Sequence, residues 1–412
     1  MPSPPGLAER RAALSMLDAV LRRGLTLDSA AASSCKSLDP AAFRLSLAIA
    51  GETLRRLPAL DAMIDSRTRQ RLPDDAKARM VLRLALAQRL GLDIPDHAIV
   101  ATALPLVDGG PRRLVHGVLG ALLRGELQQG TTLPDAVEQR WREAWGDEVV
   151  AAARETILQR PPLDLTFRDE ESAESYQLGH SLAPKHRRLE SAAVPGLPGY
   201  DDGIWWVQDL ASSTPARLIP QSAKRVLDLC AAPGGKTMQL ASAGHDVTAL
   251  DRSESRLARL RDNLARTGLE ARTIAADALE WSSPEPFDAI LLDAPCSSTG
   301  TFRRHPEVLY RARASIIAES ADLQSNLLDR AATLVRPGGS LVYAVCSLEP
   351  EEGEEQVRAF LQHHPHFRIE PATSGIAGLD AAAEGWLRIL PGMLKGNGGL
   401  DGFFTAHLVR DR

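Results

Sequence analysis

Ala and Leu recur at three- and four-residue spacing along Leu7–Leu21, Pro40–Leu57, Asp75–Leu90, His97–Val107 and Pro111–Leu127, the period of amphipathic helices. Asp39-Pro40 and Pro73-Asp74-Asp75 read as helix starts. No alternating run interrupts the series, so residues 1–140 are expected to form an all-α domain. Beyond it, Leu163–Phe167 alternates like a strand, and Pro161-Pro162, Pro184, Pro195, Gly196, Pro198 and Gly199 punctuate residues 141–220 with turns. That stretch reads as a small α+β connecting region. From Lys224, apolar runs of strand length alternate with helical patterns. The runs are 225–229, 246–251, 272–277, 287–293 and 340–346, with helical spacing at Ser253–Thr267 and Val308–Val335. This predicts a doubly wound parallel sheet, an α/β Rossmann-like domain over 221–412. Late runs at 388–391 and 403–409 suggest an antiparallel return at one edge.

Length agrees with this multidomain reading, since 412 residues exceed what one core usually holds. The composition is 44% hydrophobic and 25% charged, as in an ordinary soluble protein, and no apolar run reaches the length of a membrane span. The start M-P-S-P-P-G-L-A-E-R lacks a signal-peptide pattern, so a cytoplasmic protein is expected. The net charge of −5 does not advertise a nucleic-acid binder. It is unevenly spread, however. Residues 1–140 hold 19 Lys+Arg against 15 Asp+Glu, which leaves 29 against 38 for the rest. A slightly basic arm, with Arg-rich loops at Arg67–Arg71 and Arg112–Arg113, is compatible with RNA contact, although solvated helix faces explain it equally well. Lys185, His186, Arg187 and Arg188 read as solvated surface. Trp205 and Trp206 read as core, with base stacking the alternative. Cys35, Cys230, Cys296 and Cys346 form no C-x-x-C pair and have no His at zinc spacing, so free thiols and no metal are expected.

The candidate cofactor loop is V-L-D-L-C-A-A-P-G-G-K-T (226–237), a strand, a glycine turn and a helix start. A phosphate-binding P-loop would need glycine where Cys230 stands. A dinucleotide fingerprint would need a third glycine after Gly234 and Gly235. S-adenosylmethionine remains, held over Cys230, Ala231, Ala232, Pro233, Gly234, Gly235 and Lys236. Asp251, at the end of the second strand, is placed to accept from both ribose hydroxyls. Asp277, at the end of the third, is placed near the adenine amino group. Strand-end acids that merely cap helices would account for one of these positions and poorly for the set.

D-A-P-C-S-S-T-G (293–300) ends the fourth strand and Y-A-V-C-S (343–347) the fifth. Parallel neighbours lie about 5 Å apart, so if these strands are adjacent, Asp293, Cys296 and Cys346 converge. One acid and two thiols suit alkylation of a pyrimidine. A thiolate adds to carbon 6 and makes carbon 5 nucleophilic, an acid supplies a proton at ring nitrogen 3, and a base removes the carbon-5 proton so that the thiol leaves. These residue types do not say which thiol attacks. Arg303, Arg304 and His305 follow the loop and are candidates for contact with RNA phosphates or with the neighbours of a flipped base; a solvated basic loop is the alternative. His97, His116, His180 and His245 carry no partner pattern and read as structural.

Together C-A-A-P-G-G-K-T, D-A-P-C-S-S-T-G with R-R-H-P (303–306), Y-A-V-C-S-L-E-P-E-E-G-E-E-Q (343–356) and D-G-F-F (401–404) resemble the NOP2/Sun family of RNA cytosine-5 methyltransferases over roughly residues 198–410. Residues 84–100 and 111–124 resemble the NusB-like RNA-binding domain, with His116-Gly117-Val118-Leu119-Gly120 where that family usually has Asn-Ala-Val-Leu-Arg. The resemblance implies a Rossmann-like methyltransferase domain that uses S-adenosylmethionine. It makes Cys346 the nucleophile, Cys296 the residue that assists product release and Asp293 the acid. Val345 stands where the family often has Thr, and Ser298 where it often has Gly. The implied substrate is a cytosine in small-subunit (16S) ribosomal RNA; separately, a monomer is expected, although nothing in the sequence fixes the oligomeric state. The alternatives are the same chemistry on tRNA or another RNA, or a non-catalytic RNA-binding ribosome assembly factor. A nicotinamide-dependent oxidoreductase is a distant third.

Overall fold

The computed structural model describes residues 4–127, 129–190, 194 and 196–412, so the turn expected at Pro195 lies outside the described residues. The chain divides into two compact units, Met1–Gln159 with Phe302–Arg311, and Arg160–Thr301 with Ala312–Arg412. Among the described residues no helix is long and apolar enough to cross a membrane.

The first unit is helical, as its periodicity predicts. Helix Pro40–Arg55 begins where expected, because the Asp39 carboxylate accepts from the N–H groups of Ala41 and Ala42, both at 2.9 Å. Helix Leu7–Arg23 ends at Gly24, whose φ of 68° suits a residue without a Cβ. Helix Lys77–Gly91 is buried along most of its length. Its two arginines enter the interior because acids meet them there. Arg79 pairs with Asp65 at 2.6 Å and Asp61 at 3.0 Å, and Arg83 with Asp61 at 2.7 Å. Helices Leu57–Asp65, Asp135–Trp145 and Asp147–Thr156 were not separated by the periodicity. Segment 302–311 completes this unit. The Phe302 ring lies 5.4 Å from that of Trp141, the Leu27 N–H donates to Glu307 Oε1 at 3.2 Å, and the Tyr310 hydroxyl donates to the Leu54 carbonyl at 2.7 Å.

The second unit opens with β1 (Leu163–Phe167), β2 (His186–Leu189) and β3 (Trp205–Val207), an antiparallel sheet in the order β2-β1-β3. Trp205 and Trp206 are core residues here. The basic cluster is not solvated, which corrects the surface reading. Arg188 and His186 are buried against Asp164, Arg188 in a two-pronged pair at 2.6 and 2.7 Å and His186 at 3.1 Å.

The large sheet contains β4 (Arg225–Leu229), β5 (Asp246–Asp251), β6 (Arg272–Ala275), β7 (Phe287–Asp293), β8 (Val335–Val345), β9 (Phe367–Glu370), β10 (Leu387–Ile389) and β11 (Phe403–Arg410). Its order is β10-β11-β8-β7-β4-β5-β6, with β9 also paired to β11. Strands β8, β7, β4, β5 and β6 run parallel, and β11 returns antiparallel to β8. The central strands are near-continuous apolar runs because both faces are covered. Leu227, Leu229, Ile290 and Leu292 pack on one side with Leu327, Leu328 and Ala331 of helix Ala314–Leu334, and Val226, Leu291 and Val342 pack on the other. The helical pattern at 308–335 resolves into two pieces, Val308–Arg311 in the first unit and Ala314–Leu334 in the second.

Candidate active site

From β4 the chain steps outward through β5 and β6, then crosses back to β7 and β8 on the other side. The carboxyl ends of β4 and β7 therefore flank a topological switch point, where doubly wound sheets open a crevice for ligands. The glycine loop leaves β4 at this point. Cys230 takes a left-handed φ of 61° and Gly234 a φ of 107°. A Cβ on Gly234 would lie 2.7 Å from the Leu260 side chain, so both conformation and packing require glycine. Helix Gly235–Ser242 starts immediately afterwards. Beneath it Asp228 is fully buried and accepts from the Thr237 hydroxyl at 2.5 Å; burial raises its carboxyl to about 7. Burial likewise pushes the Cys230 thiol up to about 12, an inert sulfur.

Asp251 ends β5 as expected. Its carboxylate accepts from the Ala232 N–H at 3.2 Å and the Ser253 N–H at 2.9 Å, and Arg256 stands 3.3 Å away. This ties Ala231, Ala232 and Pro233 to the second strand, since the Ala231 N–H also donates to the Leu250 carbonyl. Asp277 lies beyond β6, which ends at Ala275. It is exposed and accepts from the Leu279 N–H at 2.9 Å. The crevice gathers Asp228, Asp251 and Asp293, carboxyl groups near enough to act on one another's charge. Such a set repels a pyrophosphate and suits a cationic sulfonium, so these residues fit S-adenosylmethionine.

Strands β7 and β8 are neighbours with Asp293 opposite Ala344, and the three reactive side chains meet. Two backbone bonds bring the following loops together, from the Ala294 N–H to the Ala344 carbonyl at 2.9 Å and from the Gly300 N–H to the Cys346 carbonyl at 3.0 Å. Cys296 Sγ and Cys346 Sγ lie 3.5 Å apart. Ser298 sits between these bonds at a φ of 60°, a left-handed position of the kind glycine usually fills. The two thiols differ in their surroundings. The hydrogen bond from Cys296 lowers the Cys346 thiol, against its burial, and Ser298 and the Lys236 charge add to the lowering. Cys296 is driven well above the ordinary thiol value by its bond to Cys346, by burial and by the Glu352 charge. Lys236 Nζ donates to Asp293 Oδ2 at 2.8 Å and lies 5.4 Å from the centre of the Phe403 ring. Burial pulls the Lys236 ammonium down, but the Asp293 charge and hydrogen bond outweigh it and the net direction is up.

Segment 303–305 belongs to the helical unit. The Arg303 side chain is 2% exposed, and its carbonyl accepts from Arg55 at 2.9 Å. A buried guanidinium is not offered to a phosphate, which corrects the expectation for Arg303. Arg304 and His305 keep partial exposure, and His305 stands 3.6 Å from Glu307.

Sequence reasoning missed the groups that hold the loops. The buried Glu352 carboxylate accepts from the Ser297 N–H at 2.7 Å, the Ser297 hydroxyl at 2.5 Å and the Ser347 hydroxyl. Burial raises it, in part offset by those bonds. Arg388 pairs with Glu354 at 2.6 Å and donates to the Ser347 carbonyl at 2.5 Å. Glu352 is one of three acids within six residues of Cys346, and nothing in that spacing singles it out. Among the described residues no cluster of His, Cys, Asp or Glu could hold a metal ion.

Comparison with known proteins bears on both units. Residues 215–409 match the family described as 16S rRNA methyltransferase RsmB/F, and residues 7–124 match the NusB family. The chain is 35% identical over 395 residues to ribosomal RNA small subunit methyltransferase B of Citrobacter koseri, covering 87% of this chain and 88% of that one. It is 34% identical over 438 residues to the protein of the same name from Vibrio cholerae, covering 97% of each. Among solved structures, PH0851 superposes with a TM-score of 0.74 at 24% identity, over 98% of this chain and 99% of that one, a likeness of fold.

Proposed function

Because this chain belongs to the RsmB/F family of 16S rRNA methyltransferases, we propose that it methylates carbon 5 of a cytosine in that RNA through a covalent bond from Cys346 to carbon 6. It is an S-adenosylmethionine-dependent methyltransferase acting on 16S rRNA. The choice of pyrimidine carbon 5 rests on one observation above all, the 3.5 Å pair of thiols beside an Asp–Lys pair, and the choice of cytosine on the resemblance to the NOP2/Sun family. Methylation of a ring nitrogen or an exocyclic amine needs no thiol. Carbon 5 does, because it is not nucleophilic until something adds at carbon 6.

Each residue then has a task. Cys346 has the lowered thiol and is the attacking thiolate; its electron pair forms the bond to carbon 6. Charge moves toward ring nitrogen 3, where Asp293, in its pair with Lys236, is the donor of one proton, which returns to it as carbon 5 takes the methyl group. S-adenosylmethionine would supply an electrophilic methyl group there; Asp251 would hold its ribose, Asp277 its adenine and the backbone of residues 230–236 its amino acid end. Once Cys346 is bonded to carbon, the anion that held the proton on Cys296 is gone. Cys296, partly exposed, then gives its proton to solvent and, as thiolate, takes the hydrogen from carbon 5 onto its sulfur. The carbon 5–carbon 6 double bond re-forms and the Cys346 thiolate leaves. Attack perpendicular to the ring requires the base to be out of its stack. Arg304 and His305 are the proposed RNA contacts of the neighbouring segment, and the cytoplasm is the proposed compartment.

The test is methyl transfer to undermodified 16S rRNA followed by nucleoside mass spectrometry. The expected product is 5-methylcytidine for the wild type and none for Cys346→Ala. A methyl group found only on a nitrogen, or on a different base, overturns the reading.

A further inference from the structure

Glu352 closes the turn Pro350–Glu352, two residues before helix Glu354–His363 begins, and lies outside the group of residues assigned to touch a substrate. Its carboxylate nevertheless joins the residue after one thiol to the residue after the other. Ser297 follows Cys296 and gives it both an N–H and a hydroxyl; Ser347 follows Cys346 and gives it a hydroxyl. The two hydroxyls also lie 3.2 Å from each other. The acid is itself fastened from two further elements. Gln324, on helix Ala314–Leu334, donates to Glu352 Oε1 at 3.3 Å and to the Pro295 carbonyl at 2.8 Å. The Tyr343 hydroxyl, on β8, donates to the Glu352 carbonyl at 2.6 Å.

This arrangement demands an acceptor with several lone pairs at a fully buried position. Only an ionised carboxylate accepts three hydrogen bonds from the two loops and a fourth from an amide at once. An amide of the same shape would turn two donors toward the serine hydroxyls. We propose that Glu352 is the positioning residue of the site, a single buried carboxylate that fixes the separation of Cys296 and Cys346 by holding Ser297 and Ser347 together. Its placement is also unequal. Its charge acts on Cys296, and it sits among the groups that favour the neutral thiol there, whereas Lys236 and Ser298 are the groups that favour the anion at Cys346. Glu352 therefore helps to decide which sulfur keeps the proton.

The proposal rests on the two-thiol reading, and its test separates the two. The full-length protein without RNA is alkylated with iodoacetamide, and the rates at Cys346 and Cys296 are compared by peptide mass spectrometry in wild type and Glu352→Gln. Methyl transfer to 16S rRNA is measured in parallel. The wild type is expected to react faster at Cys346 than at Cys296. In Glu352→Gln the preference narrows, and kcat falls by about 100-fold, the usual effect of a misplaced reactive group, with KM for RNA unchanged. A Ser297→Ala/Ser347→Ala double variant keeps the charge and removes the hydroxyl bonds; it should also lose kcat with KM unchanged, and it decides the matter if Glu352→Gln fails to fold. Wild-type kcat in the folded variants, or a loss confined to KM with the alkylation preference intact, overturns the proposal. Transfer by Cys346→Ala would overturn the two-thiol reading and leave the alkylation result, which needs no RNA, standing on its own.

Discussion

Two sulfurs 3.5 Å apart lie within hydrogen-bonding reach, and their neighbours bias the two thiols in opposite directions. Lys236 and Ser298 favour the anion at Cys346, and the Glu352 charge favours the neutral thiol at Cys296. A second titrating group lies under the cofactor loop. Asp228 is held near 7 by burial, above the roughly 3.9 of an unfolded aspartate. The unfolded chain gives up this proton first, so the stability that the neutral form confers is complete below about pH 4 and is lost as pH rises through 7. Asp228→Asn keeps an acceptor for Thr237 and abolishes this loss. Thermal unfolding of that variant between pH 4 and 7 is expected to show a flatter decline than wild type; an identical decline would place the titration elsewhere. At this scale the motif residues were legible, because Asp293, Cys296 and Cys346 stand at strand ends in short recognisable runs. Glu352 was not, because its partner Ser297 is 55 residues away and no local spacing announces it.

Elements carry those residues to one place. The parallel pairing of β7 with β8 aligns the two cysteine loops, and β11 braces β8 from its other edge. Arg388 on β10 reaches across to Glu354 and to the Ser347 carbonyl, a buried ion pair beside the Cys346 loop. Removing one partner leaves the other charge without its counterion. Arg388→Ala should lower stability in urea denaturation by about 3–5 kcal/mol. Replacing both partners by apolar residues should recover most of that loss, and a double variant no better than the single one would contradict it. The period-2 and period-3.6 patterns foretold most of these elements, including the late antiparallel return. They failed where a distant partner changed the meaning of a local run. Residues 185–188 read as solvated cations until Asp164, more than twenty positions earlier, buried two of them. The helical pattern at 308–335 hid a break, since its first turn belongs to a different unit from the rest.

In the whole molecule, the segment that leaves the catalytic loop after Thr301 folds with the helical unit, where Trp141 packs on Phe302 and Leu54 receives the Tyr310 hydroxyl. The domain boundaries read from sequence followed the chain, and the folded units do not. Hydrophobic periodicity reports how a stretch packs and says nothing of which core it joins. Trp141→Ala should cost the helical unit about 3–5 kcal/mol and raise hydrogen exchange at residues 302–311; unchanged exchange there would show that the segment is held by other contacts. The roles of the two thiols are the centre of the account, and a stalled reaction reads them directly. Cys296→Ala incubated with 16S rRNA and S-adenosylmethionine should accumulate RNA bonded to the protein, because addition and methyl transfer proceed while the carbon-5 proton stays in place. Peptide mass spectrometry of the adduct should place the RNA on Cys346. An adduct that forms in Cys346→Ala and not in Cys296→Ala would reverse the assignment of nucleophile and base.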